Sequence, residues 1–269
     1  MTQSEDWDFE GHRVRIHRAG SGSPVLLIHG IGPGTSIPAN FGSVIPALAE
    51  RHAVYGMDLI GFGGSSGKAA APYFDFALWR RQAAFVAERI GAPALRVWGQ
   101  SMGGALALRL AADHAAVTKV VTTGAGGGLH RLNASLDRFW SLPASREVLR
   151  EAMVDSVYDP AEITDALVAQ RYEMLQQGEV GPYFARMMTG DKQAMLDSAF
   201  LAPAVLGSVR ADALLIHGRE DRAVPYEETT AYYARFVPRA DQVLLGHCGH
   251  NPAREHAAKV TALVLAHFV

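Results

Sequence analysis

The segment Leu95-Arg96-Val97-Trp98-Gly99-Gln100-Ser101-Met102-Gly103-Gly104 constrains this chain more than any other. A β-branched and aromatic run ends in Gly-x-Ser-x-Gly and passes at once into an alanine- and leucine-rich stretch with helical spacing. That predicts a strand, a sharp turn and a helix. Glycines at 99 and 103 allow the chain to reverse within a few residues, and Ser101 is then held in a strained turn at a helix N-terminus. Amide donors and the helix dipole favour developing negative charge there.

The rest of the chain repeats that alternation. Strands are expected at Val14 to Arg18, Val25 to His29, Ala53 to Met57, Leu95 to Gly99, Val117 to Thr123, Ala213 to His217 and Gln242 to Leu245. Most are near-continuous apolar runs, as strands covered on both faces should be. Helices are expected over Phe41 to Arg51, Asp75 to Ile90, Met102 to His114, Tyr226 to Phe236 and Glu255 to Phe268, with Pro252 in the first turn of the last. This is the βα order of an α/β fold with a mostly parallel sheet and helices on both faces. Between about Gly126 and Val209 strand signals vanish, and patterns such as Ser145 to Met153 and Ala161 to Gln177 take over. The expected organisation is a core of residues 1–127 and 208–269 with a helical lid, 128–207, inserted between the sixth and seventh core strands. Apolar lid residues such as Phe139, Trp140, Met153, Phe184, Met187, Met188 and Phe200 either pack the lid on the core or face a substrate.

Composition excludes other classes. Lys and Arg number 25 against 27 Asp and Glu, a formal charge of −2, which argues against nucleic acid or an anionic membrane surface as partner. With 49% hydrophobic and 19% charged residues, the 269-residue chain is rich enough in apolar side chains to bury a large core. The acidic start, Met1 to Asp8, lacks the basic and apolar regions of a secretory signal, and no apolar run is long enough to span a bilayer. With a single cysteine, Cys248, unable to form an internal disulfide, a cytoplasmic protein is expected.

Serine needs a base, and the base needs an acid to orient it. Asp221, in His217-Gly218-Arg219-Glu220-Asp221, follows a late strand, and His250, in Gly246-His247-Cys248-Gly249-His250, follows the next. Ser101, Asp221, His250 is the chain order of a hydrolase with this elbow. Glu220 competes as the acid and His247 as the base, although His247 sits close to the strand end with less loop to return to Ser101. The oxyanion donors are expected to be the Met102 and Ile31 N–H groups, Ile31 lying in the turn His29-Gly30-Ile31-Gly32-Pro33-Gly34. His29 and Asp58 read as structural turn residues, and Cys248 as a small packing residue. Gly61-Phe62-Gly63 and Gly126-Gly127-Gly128 lack the context of a dinucleotide site. No cofactor or metal is expected.

At these residues the chain resembles the α/β-hydrolase superfamily, which implies an eight-stranded, mostly parallel sheet with an inserted lid. His29 to Gly34 with Asn40, the elbow, Val157-Tyr158-Asp159 through Gln170-Arg171-Tyr172, His217 to Asp221, and Cys248-Gly249-His250 with Glu255-His256 are similar to the meta-cleavage-product hydrolases. These enzymes hydrolyse a carbon–carbon bond in the 2-hydroxy-6-oxo-dienoate left when a dioxygenase opens a catechol ring. The resemblance implies that Asn40 lies by the nucleophile and substrate, that Arg171 binds the keto-acid end, and that the chain associates into dimers or larger assemblies. Three positions depart from the family's usual pattern: Gln100 stands for asparagine, Asn251 for tryptophan and Pro38 for an aromatic. Gln100 and Asn251 cluster at the expected substrate pocket. Independently of family, a lid arginine suits a carboxylate clamp, because its planar fork binds an oxo-acid bidentately.

The leading expectation is a cofactor-free hydrolase acting on a small-molecule oxo-acid of the 2-hydroxy-6-oxo-hexadienoate type, with Ser101 attacking directly or activating water. The alternative is a carboxylesterase or lactonase with the same triad. A third reading is a triad-bearing small-molecule receptor.

Overall fold

The computed structural model describes residues 3–269. Eight strands form one sheet: β1 (Gln3–Phe9), β2 (His12–Ala19), β3 (Ser23–Ile28), β4 (His52–Met57), β5 (Leu95–Gln100), β6 (Val117–Thr123), β7 (Asp212–Gly218) and β8 (Ala240–Leu245). Their order is β1-β2-β4-β3-β5-β6-β7-β8. From β4 to β8 in that order every pairing is parallel, and only β1 with β2 and β2 with β4 are antiparallel.

The period of two along each strand decides what lies on each face. Leu26, Ile28, Val97, Val120 and Leu215 point to one side, where they pack with α3 (Phe76–Ile90), α4 (Met102–Asp113) and α11 (Thr230–Phe236). Val25, Leu27, Trp98, Val121 and Ile216 point to the other, against α1 (Ile37–Phe41), α2 (Ile45–Ala49) and α13 (Ala257–His267). Between β6 and β7 run α5 (Ala134–Phe139), α6 (Arg146–Asp155), α7 (Asp165–Leu175), α8 (Val180–Met187), α9 (Lys192–Ser198) and α10 (Pro203–Gly207). A single turn, α12 (Pro252–Glu255), precedes α13.

Several elements differ from the sequence reading. Strand β1 escaped it because only Trp7 and Phe9 are buried in an otherwise exposed polar run. It is joined to β2 by Glu10 and Gly11, both at positive φ, the geometry of a tight hairpin turn. Of the expected helix over Phe41 to Arg51 only Ile45 to Ala49 forms a helix of its own, because Phe41 ends α1 and a turn at Gly42 to Val44 separates the two. The one over Ala161 to Gln177 breaks at Ile163, after which the Thr164 hydroxyl caps α7 by accepting from Leu167 N–H. Pro252 starts α12, a helix separate from the long one that follows.

The insertion's apolar residues divide. Trp140, Phe184, Met187 and Met188 join the large core cluster. Met153 belongs to a small cluster of the insertion's own with Leu149, Val157, Ile163, Val168 and Leu175. Phe200 stays exposed against Tyr232.

Candidate active site

Ser101 leaves β5 at φ 55° and ψ −123°, a backbone region that residues other than glycine seldom enter. The turn is pinned from several sides: Ser101 N–H donates to Thr123 O at 2.9 Å, and Ser101 O accepts from Gly104 N–H at 2.8 Å and Gly126 N–H at 3.0 Å. Gly103 is required because a Cβ there would overlap the Ile28 carbonyl. Strain of this kind persists only where surrounding structure over-determines it, and it lifts the hydroxyl clear of the sheet.

His250 Nε2 lies 3.0 Å from Ser101 Oγ, and His250 Nδ1 lies 2.7 Å from Asp221 Oδ2. The proton arrangement that satisfies all three groups has Nδ1–H donating to the carboxylate and Nε2 accepting from the serine hydroxyl. Asp221 Oδ1 accepts from the N–H groups of Ala223 at 3.1 Å and Val224 at 2.9 Å. Burial alone would raise its pKa, but the charge of His250 and hydrogen bonds from His217 and His250 outweigh that and hold it well below the usual carboxylate range. For His250 burial lowers the pKa, yet the charge and hydrogen bond of Asp221 prevail and raise it.

Gly30 packs so close that a Cβ on it would stand 2.8 Å from the Ser101 Cβ, which brings the turn after β3 against the elbow. The N–H groups of Ile31 and Met102 have no hydrogen-bond partner among the described residues. A small cavity of about 20 Å³ opens here, lined by Ile31, Asn40, Gln100, Ser101, Phe139, His250 and Asn251 among others. Larger clefts of about 790 and 480 Å³ lie elsewhere, and neither includes a triad residue. The convergent titratable groups, rather than cavity size, mark the site.

Residues 23–257 match the family model described as the alpha/beta hydrolase fold. A relative described as 2-hydroxymuconate semialdehyde hydrolase, from Pseudomonas sp. (strain CF600), is 32% identical over 255 residues, covering 94% of this chain and 89% of that protein. The chain belongs to the α/β-hydrolase family, among its meta-cleavage-product hydrolases. A solved meta-cleavage product hydrolase from Pseudomonas fluorescens IP01 superposes with a TM-score of 0.93 at 28% identity, covering 98% of this chain and 97% of that one. A 2-hydroxy-6-oxo-6-phenylhexa-2,4-dienoate hydrolase from Rhodococcus sp. strain RHA1 gives 0.88, also at 28% identity, with 100% and 99% covered.

In this α/β-hydrolase the competing residues are occupied elsewhere. Glu220 Oε2 accepts from Cys248 N–H at 3.0 Å. His247 is exposed, stacks on Tyr158 with ring centroids 4.8 Å apart, and does not reach Ser101. Gln100 and Asn251 line the cavity but are also tied to backbone: Gln100 Nε2 donates to His250 O at 2.7 Å, and Asn251 Nδ2 to Ser156 O at 3.2 Å. Asn40 Oδ1 accepts from Gly30 N–H at 2.8 Å and so fixes the turn that carries Ile31. Arg171, on α7, is partly buried and donates through Nη1 to Pro33 O at 2.7 Å. Desolvation is the main cause that lowers its pKa, and the positive charge of Arg254 adds to the shift.

Two supporting residues escaped sequence reasoning. Buried His217 donates from Nε2 to Asp221 Oδ2 at 3.1 Å and Val224 O at 2.9 Å, while its Nδ1 accepts from the Thr230 hydroxyl at 2.7 Å. Its spacing of four residues from Asp221, at a strand end, was the available signal. Glu255 gathers the N–H groups of Tyr158 and Gly249, each at 2.8 Å, and Asn251 at 3.0 Å. It thereby fastens the His250 loop to the insertion, a role that no local pattern announces. Among the described residues no group of metal-ligating side chains is assembled, and no helix is long and apolar enough to cross a membrane.

Proposed function

We propose that this chain is a cofactor-independent serine hydrolase that cleaves a carbon–carbon bond in a 2-hydroxy-6-oxo-hexadienoate-type product of aromatic ring fission. Beside the triad, the observation that carries the reading is Arg171, a partly buried cation that meets a backbone carbonyl and no carboxylate among the described residues. Such a group is desolvated at a cost that a substrate carboxylate offsets. The named activities of the relatives agree with it.

Arg171 holds the carboxylate end. A proton moves from the 2-hydroxyl to C5, which makes a 2-oxo-enoate. Ser101 gives its proton to His250 Nε2 and attacks the C6 carbonyl, and the resulting oxyanion lies between the N–H groups of Ile31 and Met102. Collapse of that intermediate breaks the C5–C6 bond. The electron pair delocalises onto the C2 oxygen, which takes the proton back from His250 and leaves as a 2-hydroxydienoate. Water, deprotonated by His250, then hydrolyses the acyl-serine and restores Ser101. Asp221 holds the His250 tautomer throughout.

Residues 128–207 act as the lid. A cavity of about 20 Å³ accommodates roughly one water, whereas ligand sites run to several hundred Å³, so entry requires Phe139 and neighbouring helices to move. The test is a direct comparison of substrates. Purified protein should bleach a yellow 2-hydroxy-6-oxo-dienolate with a kcat/KM at least ~10²-fold above that for p-nitrophenyl acetate. Efficient ester hydrolysis with no bleaching would make it an esterase instead.

A further inference from the structure

The segment Gly124-Ala125-Gly126-Gly127-Gly128 follows β6 and packs against the nucleophile elbow. Close approach demands its small residues: a Cβ on Gly127 would stand 2.5 Å from Ala199 O, and one on Gly128 2.2 Å from Glu228 O. With almost no side chains to wedge it, the position of this segment rests on hydrogen bonds. Gly126 N–H donates to Ser101 O at 3.0 Å, and the buried Gly126 O accepts from the Tyr233 hydroxyl. Tyr233 is fully buried, and this is the one hydrogen bond that its hydroxyl makes among the described residues. It stands on α11 three residues after Thr230, whose hydroxyl donates to His217 behind the triad acid. Residues three apart share a helix face, so one helix backs the acid and the elbow together.

We propose that Tyr233 is a positioning residue for the oxyanion site: through Gly126 it fixes the Ser101–Met102 peptide, whose N–H is one of the two oxyanion donors. This rests on the reading of Ser101 as nucleophile and adds to it a residue outside the triad. The peptide is planar, so the two donors on Ser101 O, Gly104 N–H and Gly126 N–H, set the direction in which Met102 N–H points. They also polarise it, since hydrogen bonds to a carbonyl strengthen the donor at the other end of the same peptide. That help grows as charge develops on the substrate oxygen, so it falls on the transition state rather than on substrate binding. Without the Tyr233 hydroxyl the buried Gly126 carbonyl loses its partner, and the segment shifts towards whatever donor replaces it.

Phenylboronic acid tests this, because its tetrahedral adduct requires Ser101 Oγ to bond to boron and pass its proton to His250, leaving an anionic boronate whose oxygen occupies the oxyanion site. Tyr233→Phe keeps the ring and its packing and removes only the hydroxyl. It should weaken the boronic acid, titrated calorimetrically, about tenfold and lower kcat by a similar factor, with KM within about twofold of wild type. Tyr232→Phe is the control, removing a second buried hydroxyl from the same helix that donates to Leu201 O at 3.0 Å rather than to the segment behind the elbow. It should leave boronate affinity and kcat within about twofold. A merely structural role would lower the melting midpoints of both variants without separating their affinities. Unchanged boronate affinity in Tyr233→Phe, an equal loss in Tyr232→Phe, or a loss confined to KM would each overturn the role of Tyr233. Boronate binding that Ser101→Ala does not weaken would overturn the nucleophile as well. Ser101-dependent binding undiminished in Tyr233→Phe would keep the nucleophile and refute Tyr233 alone.

Discussion

The strand-end half of the site and the half contributed from the insertion are built on opposite terms. At the strand ends the triad acid, the base and the histidine behind them have their polar atoms paired. Asp221 accepts four hydrogen bonds, His250 uses both ring nitrogens, and His217 behind them uses both of its own. On the insertion's side Arg171 meets a lone carbonyl, and all the exposed large hydrophobics among the described residues except Val269 lie within 128–207. A saturated network holds reacting groups still, which is what pre-organised catalysis needs. Unsaturated groups favour whatever ligand supplies the missing partner. On the proposed reading, the reaction type resides at the sheet's strand ends and the choice of substrate where the insertion meets them.

The largest expected effect tests the saturated half. Ser101→Ala and His250→Ala should each lower kcat by roughly 10³-fold or more on a dienoate, leaving only binding and oxyanion contributions. His247→Ala should leave the rate within about threefold of wild type, in keeping with a surface residue. Equal losses in both histidine variants, measured by single-turnover bleaching, would undo the assignment of the base.

Asp221→Asn should cost roughly 10³- to 10⁴-fold in kcat, with a signature in pH. His250 acts as a base only when neutral, and Asp221 raises its pKa, so activity is lost as pH falls through a value above that of an ordinary histidine. Removing the negative charge lowers that pKa, and the acid limb of kcat/KM should move to lower pH. A limb that stays in place would mean that it reports some other group.

Arg171→Gln examines the unsaturated half and should cost roughly 10- to 150-fold in kcat/KM on an acidic dienoate, equivalent to about 1.5 to 3 kcal/mol. A neutral ester offers the clamp no carboxylate, so it should lose far less. Equal small losses on both substrates would return Arg171 to a structural role.

Glu255→Gln weakens the strap between the halves by removing a charge that accepts from three amides. A destabilisation of about 1 to 3 kcal/mol is expected from denaturant titration. An unchanged midpoint would show that the halves are joined by packing alone. The smallest expected effect is none: exhaustive chelation should leave dienolate bleaching unchanged, because every step proposed has a protein group to perform it. Loss of activity restored by one metal ion would contradict this.

Much of the architecture was legible in the sequence because it is local. The elbow is a set of steric requirements at Gly99, Ser101 and Gly103, and the buried strands are apolar runs between turn residues. Asp221 and His250 were legible because a strand end followed by a loop is a sequence feature, and chain order does the rest. Strand β1 was hidden by its polar surface, and the breaks at Gly42 and Ile163 were hidden because apolar spacing continues across them. Tertiary structure alone decided that His217 backs Asp221 and that Glu255 ties the His250 loop to the insertion. Those outcomes depend on which groups share a desolvated space. Hydrogen bonding and charge act across that space rather than along the sequence.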